Sequence, residues 1–121
     1  LVNDEKFLEI SKQILELNGT SAAENPFAFG YLLNVMNLYL KHPTEIIIIN
    51  SENSEIVNSL NKKFMPEGII IQIKDQENLK ILSKYPFFEG KEFSNKTSVT
   101  ICKNFTCSLP MFELSDIEKN L

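Results

Sequence analysis

Arginine is absent from this 121-residue chain; the twelve cationic side chains are all lysine and are outnumbered by sixteen carboxylates, for a formal charge of -4. Affinity for a nucleic-acid backbone rests on clustered cations, and arginine is the residue suited to bidentate contact with phosphate or guanine. With its lysines scattered along the chain, nucleic acid is not an expected partner. No apolar run approaches the ~18 residues needed to cross a bilayer, and no membrane partner is expected either. The phosphate-binding patterns G-x-G-x-x-G and G-x-x-x-x-G-K-S/T are both missing. Histidine occurs once, at His42, and cysteine twice, at Cys102 and Cys107, which is too few ligands to complete a zinc site.

The first residue is Leu1, with no initiator Met, basic leader or cleavage-site pattern. A piece of a longer protein without a targeting signal is the expectation, and a cytoplasmic location with it. Asn-x-Thr triplets at Asn18, Asn95 and Asn104 do not change this, because a chain so rich in Asn produces about two by chance.

What is present is an alternation of periods. Phe7, Ile10, Ile14 and Leu17, flanked by Leu8 and Leu15, recur at helical spacing from Asp4 to Leu17. Asn3 or Asp4 is the expected cap, and Asn18-Gly19 the expected stop. Asn25-Pro26 then opens a second helix, expected over 26–40, with apolar residues around most of its circumference: Phe27, Tyr31, Val35 and Leu38 on one side, Phe29, Leu33, Met36 and Leu40 on another. Past His42-Pro43 the pattern changes to the solid β-branched run Ile46 to Ile49 within 45–50, the mark of a strand buried on both faces.

A helix over 54–64 with Ile56, Val57, Leu60 and Phe64 on one face, a strand at 69–73, and a helix capped by Asp75 and carrying Leu79 and Leu82 follow in turn. After a loop at 87–96, a third strand is expected at 97–101, with Ser98 and Thr100 on a less buried face. Ser115-x-x-Glu118 reads as a capping box for a last short helix. The expected fold is therefore α/β: an N-terminal helical hairpin, then a small three-stranded parallel β-α-β-α-β sheet, a Rossmann-like half, and a short C-terminal helix. The expected domains are 1–43 and 44–121, and the expected strand order is 2-1-3.

Little in this layout carries chemistry. The turn after the first strand, 50–54, has no glycine and contains Glu52, which disfavours a nucleotide phosphate. His42 reads as a junction residue, not a base. Glu52 with Glu55, and Asp75 with Glu77, fall at helix starts, where negative charge suits the helix dipole. Glu89-Gly90-Lys91 reads as a turn. The one constellation that stands apart is Cys102-Lys103-Asn104-Phe105-Thr106-Cys107. Its thiols suit reduced structural positions, a disulfide or redox pair, or half of a metal site, and reduced thiols are the first expectation. No catalytic residue, metal or cofactor is assigned.

The block from Thr97 through Pro110 resembles the C-terminal signature of the YyaL-type thioredoxin-domain-containing proteins, related to the spermatogenesis-associated thioredoxin-like family. There, a strand leads into V-C-x-N-F-x-C-x-x-P; here Ile101 stands for the valine, and Cys102, Asn104, Phe105, Cys107 and Pro110 match. The run from Glu45 to Asn50 is similar to the family's E-I-V-I-V strand, and Gly90-Lys91 to a G-K pair upstream of the signature. By that similarity, residues 1–41 look like the last helical pair of an (α/α) toroid similar to sugar epimerases, and 44–121 like an appended module. The resemblance implies a non-catalytic accessory or interaction domain whose partner is the rest of the parent chain, the toroid and a thioredoxin-like domain. A homodimer through residues 1–41 is the further partner expected of the isolated chain. Rival expectations are a thiol-redox element using Cys102 and Cys107, and a small-ligand site at the sheet edge near 50–53 and 74–76.

Overall fold

The computed structural model describes residues 5–104 and 106–121. The chain divides into two compact units, one ending at His42 and the other spanning Pro43–Leu121.

The first unit is a helical hairpin of α1 (Glu5–Glu24) and α2 (Gly30–Lys41). Asn18-Gly19 does not end α1, contrary to expectation. The Asn18 amide donates to the Ile14 carbonyl one turn back, so its side chain bonds along the helix, and the helix formers Ala22 and Ala23 carry the helix on. Asn25 does reverse the chain, its carbonyl accepting from Ala28 N at 3.1 Å, but residues 26–29 form a turn and α2 begins only at Gly30.

The second unit is a four-stranded mixed sheet in the order β2-β1-β3-β4. Its strands are β1 (Thr44–Ile49), β2 (Gly68–Ile73), β3 (Ser98–Lys103) and β4 (Thr106–Cys107). The α/β class and the central place of β1 follow the sequence pattern; the all-parallel arrangement does not. β1 and β2 are parallel, but β3 runs antiparallel to β1, with Ser98 opposite Ile49 and Cys102 opposite Glu45. The reason lies in the return path. Between β1 and β2, α3 (Ser54–Lys62) carries the chain back to the starting end of the sheet. After β2 only α4 (Gln76–Leu82) intervenes, about 10 Å of helix against about 20 Å of strand. The loop that follows is then held at the carboxyl end of β1, so β3 enters from there.

Two apolar layers flank β1. Ile46 and Ile48 pack with Ile56 and Leu60 of α3, Val99 and Ile101 of β3, and Ile117 of α5 (Leu114–Asn120). Ile47 and Ile49 pack with Ile73, Leu79 of α4, Cys102, and Phe88 of a short 3-10 turn, Pro86–Phe88. Ser98 and Thr100 are buried like Val99 and Ile101, so the expected less buried face of β3 is corrected. α3 stops before Phe64, which is 92% exposed instead of lying on its buried face. The expected capping box of α5 does not form: Glu113 occupies the cap position without a side-chain bond, and Ser115 is already inside the helix. Asp75 does cap α4, accepting from Asn78 N at 2.7 Å. Among the described residues no helix is long and apolar enough to cross a membrane.

Candidate functional site

The carboxyl end of β1 is where an open α/β sheet ordinarily receives a ligand. Here it is occupied by the chain's own polar groups. Asn50 takes a left-handed backbone (φ 54) and sends its amide to the Ser94 carbonyl at 2.8 Å. The Thr97 hydroxyl donates to the Asn50 carbonyl and accepts from Asn53 N at 3.0 Å. The Asn53 side chain in turn caps α3, accepting from Glu55 N and Ile56 N. Residues 50–53 thus tie the re-entrant loop to the sheet, and these bonds use the polar groups that the sheet-edge ligand site expected at 50–53 would have required.

The cysteine block forms a hairpin. Lys103 pairs with Thr106, so the chain reverses within two residues. Asn104 takes a positive φ of 49°, a conformation that Asn tolerates better than other non-glycine residues and that tight hairpins demand. The register sets Cys102 directly opposite Cys107, and the two are joined as a disulfide with 4.0 Å between their Cα atoms. The expected reduced thiols are corrected accordingly; the strand β4 that brings the second cysteine back is too short to register as a hydrophobic period. Cys102 is fully buried in the apolar layer, whereas Cys107 is exposed. Pro110 is exposed on the following segment, which rejoins β3 through paired bonds of 2.8 Å between Val99 and Met111. Phe105 of the signature lies outside the described residues. His42 closes α2 with a φ of 56°, and among the described residues no group of three or more His, Cys, Asp or Glu side chains is placed to hold a metal.

The helical hairpin leaves a row of apolar side chains exposed. Successive helical residues turn by about 100°, and the face of α1 that is buried holds Leu15 and Ala22. Gly19 lies on that same side, where an added Cβ would stand 4.0 Å from the Met36 methyl of α2. Of these, Gly19 and Ala22 are small and let the helices approach. The apolar stripe expected on α1, Phe7, Ile10, Ile14 and Leu17, lies about a third of a turn away and is 61%, 43%, 48% and 81% exposed. On α2, Tyr31 and Leu40 are exposed and Leu33 and Met36 are only half-buried, as is Phe29 in the turn before it.

Compared with models of protein families, with curated proteins and with solved structures, the chain finds no match in any of the three.

Proposed function

We propose that the chain is a non-catalytic accessory and interaction domain of a longer, cytoplasmic protein similar to the YyaL-type family, in which α1 and α2 complete a helical toroid and the α/β module is appended to it. The carrying observation is the Phe7, Ile10, Ile14 and Leu17 stripe, which α1 leaves exposed while burying the face that holds Leu15 and Ala22. Contiguous apolar surface of this kind marks a site of contact. Amide hydrogen exchange of α1 in the isolated chain and in the longer protein tests the reading. Slow exchange along 7–17 only in the longer protein is expected; equal rates in both overturn it.

A second reading is favoured by the hairpin: a thiol-redox element. Disulfides of cytosolic proteins are usually transient, and exchange needs one accessible sulfur-bearing residue, a condition that Cys107 meets at the sheet edge. The thiolate of a dithiol partner attacks Cys107 Sγ, releasing the Cys102 thiolate. The partner's second thiolate then displaces Cys107, leaving the partner as a disulfide and this chain with two thiols. Titration in glutathione buffers is the check. A midpoint inside the cytosolic range is expected, and a pair that stays oxidised throughout that range rules the reading out.

A further inference from the structure

Beneath the loop at 89–94 and the segment at 108–112 lies a cleft of about 370 Å³, within the range of small-molecule sites. Its floor is the face of β3 that carries Ser98 and Thr100, residues 5% and 4% exposed. Neither hydroxyl has a hydrogen-bond partner among the described residues, yet no buried side-chain polar atom is left unsatisfied there without access to open space. Both hydroxyls therefore open onto the cleft. This differs from Ser108, also on the wall, whose hydroxyl is spent on Ile101 N and the Leu109 carbonyl. Ile49, Pro110 and Phe112 supply an apolar wall.

Lys91 stands at the mouth beside Gly90, whose φ of 71° gives the turn a shape that favours glycine. It forms no ion pair among the described residues, and partial burial pulls its pKa below the ordinary 10.5. Glu89 and Glu92 also border the cleft, but both are exposed, so water screens their charge. The ammonium has given up hydration without gaining a counter-charge, and it gains most from a ligand that supplies one.

We propose that this cleft binds a small organic carboxylate, its carboxylate on Lys91 and the hydroxyls of Ser98 and Thr100, and its apolar body against Ile49, Pro110 and Phe112. This site is separate from the exposed face of α1 and from the disulfide, and stands or falls independently of both. The probes are benzoate and its charge-reversed counterpart benzylamine, titrated into the isotope-labelled chain while amide shifts are followed by NMR. Benzoate is expected to shift Gly90, Lys91, Ser98 and Thr100 with millimolar affinity. Lys91→Gln and Thr100→Val are each expected to weaken it by about tenfold, the loss of one charge-assisted or buried hydrogen bond. The Lys91 change is at the surface and serves where the Thr100 change perturbs the sheet. Absence of localised shifts, benzoate binding unchanged in Lys91→Gln, or preference for benzylamine would each overturn the proposal.

Discussion

Thr97 is the residue on which the second unit's closure turns. Its single hydroxyl serves the Asn50 carbonyl and the Asn53 amide at once, and it is 8% exposed. Thr97→Val keeps the shape and leaves both groups without their partner, a loss of about 1–3 kcal/mol. Urea unfolding should show a lower midpoint with an unchanged slope; a midpoint within error of the parent contradicts the assigned bonds. Lys91 makes the opposite kind of contribution. Burial lowers its pKa in the folded chain below the unfolded 10.5, so the unfolded state holds its proton more tightly. Its charge therefore destabilises the fold below the folded pKa, and that effect fades as pH rises through the folded pKa towards 10.5. Lys91→Met should thus be more stable than the parent near neutral pH, with the gap narrowing in alkaline buffer. A gap that widens with pH contradicts this.

At the level of elements, Gly19 separates the local signal from the tertiary one. Asn-Gly is a helix stop by chemistry, yet α1 runs through it, with Gly19 facing Met36 across open van der Waals distance. Gly19→Ala should therefore stabilise the helix by about 0.5–1 kcal/mol. A destabilised variant would mean that the helix ends where the sequence alone suggests. The same contrast explains what was legible. The Ile-rich run of β1, the cap Asp75, and the alternation of strand and helix are local patterns, and the structure follows them. Strand direction is not local: the period of β3 is identical either way, and its antiparallel course depends on the shortness of α4 and the anchoring of Thr97. The hairpin at Asn104 was visible as a cysteine spacing but not as a strand pair, since β4 has only two residues. The cleft was not legible because Ser98, Thr100 and Lys91 come together only through that reversed strand. For the hairpin itself, Cys107→Ser opens a six-residue cross-linked segment, 102–107. Chain entropy for so short a loop predicts a loss of about 2 kcal/mol, readable as a lower thermal midpoint than in the oxidised parent.

For the whole molecule, the contrast between the two units is the informative feature. In Pro43–Leu121 the large apolar side chains of β1 are enclosed between helices on both faces of the sheet. In the helical hairpin the buried residues are Leu15 and Ala22, and α2 buries none. A hairpin that encloses so little and exposes Phe7, Ile14 and Leu17 is what the proposed interaction role requires. On the proposed reading that stripe is covered in a longer chain, and the isolated chain is then expected to pair through it with another copy of itself. Apolar burial contributes roughly 25 cal/mol per Å², enough to drive association where the surface is contiguous, although area does not fix affinity. Sedimentation velocity at micromolar concentration, comparing the chain with its Ile14→Glu/Leu17→Glu variant, tests this most directly. Self-association of the parent that is abolished in a still-folded variant is the predicted result; a parent that sediments as a strict monomer would contradict the claim that α1 presents an interface.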